Sequence, residues 1–264
     1  MSRRLNVAIL AVALGAAALA LTACGASGMV QTSAAMQLPE SSPAGMAMFG
    51  RTVSSGATVP TDPDGVIRQT GAGSVALTFD DGPDASTPQI LALLRQYGVK
   101  ATFCVIGLNV KANPGLLQAI VRDGHTLCNH TWQHDTALGR RSADMIRADL
   151  QRTNDEIHKA APGVPVRYFR HPAGNFTPTA VQVARELGMT SLGWNVDPRD
   201  WDTKTYQPGT PLTNQIVSVI QQNCAPGAIV LSHDGGGDRS STVAAYRTLL
   251  PYLLDRYPLI ALPT

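Results

Sequence analysis

From Ser74 onward, short apolar runs alternate with longer stretches in which apolar positions recur every three or four residues. Val75–Phe79, Ala101–Ile106, His125–Cys128, Arg167–Phe169, Thr190–Trp194, Ala228–Leu231 and Leu259–Leu262 read as strands, each too short for a helix and bounded by turn residues. Between them the spacing predicts helices with clear punctuation. Thr87-Pro88, Asn113-Pro114, Thr177-Pro178 and Thr210-Pro211 each set a capping side chain before a proline at the first helical position, where the missing N–H costs nothing. Gly98, Gly124 and Gly188 close three of these helices. Strands alternating with helices imply a parallel α/β sheet, open or closed into a barrel.

The N-terminal pattern is different. Arg3 and Arg4 precede an unbroken alanine-rich apolar run from Val7 to Leu21, which ends in Leu21-Thr22-Ala23-Cys24-Gly25. A positive start, a short apolar stretch and small residues after it read as an export signal, too short for a comfortable membrane span. Cys24 stands where a bacterial lipobox places the cysteine that becomes lipidated, so residues 1–24 are expected to be a lipoprotein signal and the protein to be held on the outer face of a cytoplasmic membrane. An ordinary signal cleaved near Ala26 is the alternative. Residues 25–73 shift to Gly, Ser, Thr, Pro, Ala and Met without periodicity and read as a disordered tether, leaving 74–264 as the folded domain.

Composition narrows the partners. A formal charge of +2 over 264 residues, with no basic stripe, argues against nucleic acid. Apolar content of 44% is globular, and the length suits one barrel-sized domain, expected to be monomeric. With Cys24 lipidated, Cys104, Cys128 and Cys224 remain for an oxidising compartment. Cys104 and Cys128 fall on consecutive predicted strands, which favours that pair over three buried thiols.

The chemistry lies at the strand ends. Asp80 and Asp81, His130 and His134, Arg170, Asp197 and Asp200, and His233 all fall at or just after C-terminal ends of separate predicted strands, where (β/α) barrels build their sites. A distorted barrel with a groove across its top is therefore expected. Two imidazoles four apart and a carboxylate pair can make a metal site of two histidines and one carboxylate, with the other carboxylate free to act as a base. That combination points to metal-assisted hydrolysis.

Five segments stand in order: Thr78-Phe79-Asp80-Asp81-Gly82-Pro83, His130-Thr131-Trp132-Gln133-His134, Phe169-Arg170-His171-Pro172-Ala173-Gly174, Asp197-Pro198-Arg199-Asp200-Trp201 and Leu231-Ser232-His233-Asp234. Together they resemble the polysaccharide deacetylase family of carbohydrate esterases, also called the NodB homology domain, over essentially all of residues 75–262. The resemblance implies a (β/α)7 barrel that hydrolyses acetyl groups on sugars with a divalent metal, zinc first, with cobalt, manganese or nickel as alternatives. It makes Asp81, His130 and His134 the ligands and Asp80 the base, with Arg170 pairing the base. His233 becomes the general acid and Asp200 its partner, while Trp201 and Leu231 wall the pocket for the acetyl methyl. The family commonly has Arg-Pro-Pro-Tyr-Gly where this chain has Arg170-His171-Pro172-Ala173-Gly174. The Ala173 backbone can still supply the oxyanion donor, but the ring contact with substrate is lost. His171 is a further candidate for touching substrate, and Asp197 is expected to shape its loop.

The expected activity is N-deacetylation of a cell-wall or extracellular polysaccharide, peptidoglycan or another N-acetylglucosamine polymer. O-deacetylation of acetylxylan would use the same site. A silent glycan-binding lipoprotein is the alternative from another class, and its mark would be a lost ligand, base or acid, none of which is lost here.

Overall fold

The computed structural model describes residues 60–264; the export signal, Cys24 and the tether up to residue 59 lie outside the described residues. Eight strands form one parallel sheet: β1 Val66–Ile67, β2 Val75–Asp80, β3 Thr102–Val105, β4 Thr126–Asn129, β5 Val166–Phe169, β6 Thr190–Leu192, β7 Ile229–His233 and β8 Leu259–Ile260. The helices are α1 Thr87–Gln96, α2 Gly107–Ala112, α3 Pro114–Arg122, α4 Ala143–Ala160, α5 Pro178–Glu186, α6 Thr210–Asn223 and α7 Ser240–Leu254. Strand order is β1-β6-β5-β4-β3-β2-β7, with β8 added on β2. Isolated bridges, Val196 to Val230 and Gln69 to Ala228, join the β6 side to β7 and close the sheet into the distorted barrel.

Strand alternation sorts the side chains into two sets. Val75, Leu77 and Phe79 of β2, with Phe103, Val105, Leu127 and Val230, pack outward into the main core with the helices. Their alternates Ala76, Cys104, Cys128, Tyr168 and Ile229 form a second, inner cluster with Ile67, Leu192 and Leu262. The chain's C-terminal segment plugs this lower end. The Thr126 hydroxyl donates to Leu262 O at 2.6 Å, the Tyr168 hydroxyl to Pro263 O at 2.7 Å, and Leu262 N–H to the Thr102 hydroxyl at 3.0 Å. Two residues beyond Cys128 and Tyr168, and four beyond Ala76 and Ile229, the same inward parity delivers His130, Arg170, Asp80 and His233 to the open upper end.

A disulfide joins Cys104 to Cys128, whose Cα atoms lie 4.2 Å apart. The two residues are register partners on β3 and β4 and both face inward, which is the condition for neighbouring parallel strands to be bridged. Cys224 is a buried free thiol.

Two expectations need correction. The tether was expected to reach Gly73, yet residues 60–73 are part of the domain: β1 pairs with β6, and Ile67 is fully buried in the inner cluster. A two-residue strand is too short for periodicity to reveal. Of the four capping side chains expected before prolines, only Thr177 acts as one, accepting from Ala180 N–H at 3.2 Å. Thr87 and Thr210 are already the first helical residues, and Asn113 turns its amide to Pro83 O at 3.2 Å. Gly98, Gly124 and Gly188 close their helices as read, with left-handed φ of 66°, 76° and 77°.

His125, at the foot of β4, is buried against the Phe103 ring and accepts the Ala101 N–H on Nδ1 at 3.1 Å. Burial pushes its pKa down to about 4, with the Lys100 charge acting in the same direction. The unfolded chain protonates this ring near its ordinary value of 6.5, so His125 stabilises the fold fully above that pH and the contribution is lost as pH falls toward 4. The window amounts to about 3 kcal/mol. His125→Asn keeps an acceptor for Ala101 and is expected to lose less stability than wild type between pH 7 and 4.5 in urea titrations. Equal losses in the two proteins would exclude His125 as the source.

Candidate active site

Asp80 ends β2 and Asp81 begins the turn after it, in the left-handed region at φ 71°. The reversal separates the two carboxylates: Asp80 keeps the inward direction of its strand, while Asp81 swings toward the loop that follows β4. That loop carries both histidines. A spacing of four would suit one helical turn, but Thr131 at φ 69° and His134 at φ 59° fold the segment into an irregular loop. Its shape is fixed from outside. Gly107 and Leu108 donate their N–H groups to Thr131 O and Trp132 O at 3.0 and 2.9 Å, and Asn129 Oδ1 accepts from Thr131 N–H at 2.9 Å. Trp132 is buried, capped by the Arg152 guanidinium 3.6 Å from the ring centroid, and its backbone N–H donates to Asp149 Oδ1 at 2.9 Å.

Ring orientation follows from the other nitrogen. His130 Nδ1 lies 2.8 Å from Arg170 O and, as a donor to that carbonyl, leaves the Nε2 lone pair facing Asp81. Asp81 Oδ1 is 3.4 Å from Nε2 of both His130 and His134. All three candidate ligand atoms lie within 4.8 Å of one another. Asp81 Oδ1 is buried and makes no hydrogen bond, an arrangement that costs about 1–3 kcal/mol unless something else satisfies the atom. Burial alone would raise the Asp81 carboxyl, but His130, together with His233 and His134, outweighs it, and the group is held well below the usual carboxylate range. Burial would lower His130, and the charges of Asp80 and Asp81 raise it instead. The spot therefore draws positive charge. One carboxylate and two imidazoles around an orphaned oxygen fit a divalent ion of the zinc type.

Arg170 follows β5 and is completely buried. Its Nη1 donates to Asp80 Oδ1 at 2.7 Å and to the Thr78 hydroxyl at 2.9 Å, while Nε and Nη2 donate to Leu192 O and Gly193 O, each at 3.0 Å. Asp80 Oδ2 is left on the side of His130, 3.7 Å from Nε2.

Across the cleft, His233 ends β7. Its Nδ1 lies 2.7 Å from Asp200 Oδ1, and its backbone N–H donates to Oδ2 of the same carboxylate at 2.9 Å. The Thr242 hydroxyl adds a third bond to Asp200 at 2.8 Å. Burial alone would lower the His233 pKa, but Asp200 and, more weakly, Asp81 and Asp80 raise it to about 9. At neutral pH the imidazole holds a proton with Nε2 turned away from Asp200.

Asp80, Asp81, His130, His134, Ala173, Leu231, Trp201 and His233 line one cleft of about 360 Å³. The structure thus brings together the expected ligands, base, acid and pocket walls, with Arg170 and Asp200 directly behind them. Ala173, at φ 55°, lines the cleft and puts no ring in it. Asp197 also lines the cleft while accepting the Arg199 N–H at 2.8 Å, so it shapes its loop as well. His171 does not reach the cleft. It is fully buried, with Nδ1 at 2.9 Å from Pro172 O and Nε2 accepting the Gly139 N–H at 2.9 Å, and it ties two loops together.

Two site residues escaped the sequence reading. Trp194 lines the cleft and lies under the Arg170 guanidinium, 5.4 Å from its ring centroid. An aromatic at a strand's C-terminal end was the available signal. Asp234 is fully buried, is bonded by the Thr87 hydroxyl, and has its pKa pushed up to about 7 by burial. Only its adjacency to His233 marked it in the sequence.

The polysaccharide deacetylase family profile matches residues 67–192. A chitooligosaccharide deacetylase of Sinorhizobium fredii is 39% identical over 200 residues, covering 71% of this chain and 88% of that protein. A peptidoglycan-N-acetylglucosamine deacetylase of Bacillus cereus is 39% identical over 182 residues, covering 68% and 81%. Among solved structures, a mutant of a Bacillus anthracis CE4-family pseudoenzyme with restored enzymatic activity superposes with a TM-score of 0.66 at 32% identity, covering 74% of this chain and 69% of that one. With this arrangement of side chains and these relatives, the chain belongs to the polysaccharide deacetylase family.

Proposed function

We propose that this polysaccharide deacetylase removes N-acetyl groups from an N-acetylglucosamine polymer of the cell envelope, peptidoglycan first, with one divalent ion, zinc first, at Asp81, His130 and His134. One observation carries the reading: a cluster of three candidate ligands with an orphaned carboxylate oxygen opens on a cleft that holds an Arg170-paired carboxylate on one side and an Asp200-paired histidine on the other. The chitooligosaccharide and peptidoglycan deacetylases among its relatives support the substrate class.

In this mechanism the ion, when bound, supplies Lewis acidity that polarises the acetyl carbonyl and acidifies a water. Asp80 Oδ2 takes the proton as that water attacks, while Arg170 grips Oδ1 and fixes the direction of the free oxygen. Ala173 lines the cleft, and its backbone N–H would serve as the donor to the developing oxyanion. His233 Nε2 then gives its proton to the departing amine, and the Asp200 carboxylate stabilises the ring before transfer and aims it. Leu231, Trp194 and Trp201 exclude water around the acetyl methyl. Trp201, 45% exposed at the mouth and flanked by Arg199, offers a face to a sugar ring.

The proposal includes export and a lipid anchor at Cys24, which would hold the enzyme against the wall polymer. Cys24→Ala is expected to move the protein out of the membrane fraction of the cells that make it; retention there would remove the anchor from the proposal.

The ligand and base assignments separate experimentally. His134→Ala should abolish tight zinc binding and acetate release from peptidoglycan or chitooligosaccharides while the protein stays folded. Asp80→Asn should still bind zinc and lose about 10²- to 10⁴-fold in turnover. Full activity in the first variant, or loss of zinc in the second, would break the assignment.

The general-acid role of His233 predicts a dependence on the leaving group. An amine must be protonated to leave, whereas an aryl acetate expels a phenolate that needs little help. His233→Ala is expected to damage N-acetyl hydrolysis far more than aryl acetate hydrolysis, and Asp200→Asn to act in the same direction more mildly. Equal losses on both substrates would move His233 out of the acid role.

A further inference from the structure

Arg239 stands at the N-cap of α7, where small acceptor side chains are favoured and a cation opposes the helix dipole. No helix preference explains it. Its side chain is folded inward, with the residue only 5% exposed, and its donors go to backbone carbonyls of two segments that the mechanism uses. Nε donates to Gly235 O at 2.7 Å, Nη2 to Gly236 O at 3.2 Å and Nη1 to Asp200 O at 3.3 Å.

Each carbonyl belongs to a residue set against the reaction centre. Asp200 holds the His233 ring and its backbone N–H. Gly235 and Gly236 lie directly on Asp81. A Cβ at Gly236, which is left-handed at φ 74°, would stand 2.5 Å from Asp81 Oδ2, and one at Gly235 would meet Asp81 O. Only bare backbone fits there, and bare backbone is free to drift unless its carbonyls are held.

The geometry points to Arg239 as a positioning residue that couples the proton donor to the metal site: one planar guanidinium fixes the Asp200 loop and the Gly235–Gly236 backbone relative to one another, and so His233 relative to Asp81. The inference rests on the proposed roles of Asp81 and His233. A lysine cannot replace it, because an ammonium on a flexible stem lacks the rigid fork that spans these carbonyls.

The test uses full-length protein carrying Arg239→Met and Arg239→Lys, with circular dichroism and melting curves reporting the fold. Zinc affinity is read by competition with a chromophoric chelator. At saturating zinc, the ratio of N-acetylchitooligosaccharide to aryl acetate turnover is read as a second, independent quantity. Outer-shell partners of metal sites typically contribute ~10- to 100-fold. Arg239→Met is expected to weaken zinc binding by about tenfold or more and to lower the turnover ratio by a similar factor, with Arg239→Lys rescuing neither fully. Where the methionine variant does not fold, the lysine variant is read in its place. If either quantity stays at its wild-type value in a folded variant, or only the melting temperature falls, the coupling is overturned and Arg239 is merely structural. Wild-type protein that binds no zinc would overturn the metal reading itself, and this inference with it.

Discussion

A guanidinium buried at the top of the barrel organises everything above the apolar core. Arg170 donates to Asp80, to the Thr78 hydroxyl and to the carbonyls of Leu192 and Gly193, while its own carbonyl meets His130 Nδ1. Taking such a charge out of water costs several kcal/mol, and only complete pairing offsets that cost. Removing one partner would leave the charge uncompensated, at about 3–5 kcal/mol. The ends of β2, β5 and β6 are therefore locked to one another, and with them the proposed base Asp80, the proposed ligand His130 and the cleft wall at Trp194.

The two ends of the barrel divide the work of stability and chemistry. Below, apolar side chains, the Cys104–Cys128 disulfide and the C-terminal segment close the interior. Above, the described residues with positive φ other than glycine are Asp81, Thr131, His134, Ala173 and Arg199, all in the motif segments around the cleft. Each such residue costs of order 1 kcal/mol or more and persists only where its surroundings over-determine it. The rigid lower end makes that strain tolerable.

Electrostatically the cleft is built from two aimed pairs. Asp80 is held by Arg170 on one side, and His233 by Asp200 on the other, each pair hydrogen-bonded and largely withdrawn from water. Between them lies Asp81 Oδ1, the one buried acceptor of the candidate ligand set that nothing in the fold satisfies. In the proposed chemistry the acceptor and donor of protons thus face the same small volume from opposite walls. Neither needs to reorganise for the reaction to proceed.

Much of this was legible in the chain itself. The short apolar runs Val75–Phe79 and Ala228–Leu231, the prolines near helix starts and the glycines at helix ends marked the α/β repeat, because run length and turn chemistry are local properties. Asp80, Asp81, His130, His134, Arg170, Asp200 and His233 stood out because their residue types, order and spacing match a known family. The turning of Thr87 to Asp234 in place of a cap, the strand Val66–Ile67 and the burial of His171 were not legible, since each depends on a partner far along the chain: Asp234, β6 and Gly139. The same holds for the grip of Arg239 on Asp200 and the glycine loop. Sequence alone determined which groups are present and on which strand ends. Only the closed barrel decided which of them meet, because inward parity and left-handed turns set directions in space that no linear spacing encodes.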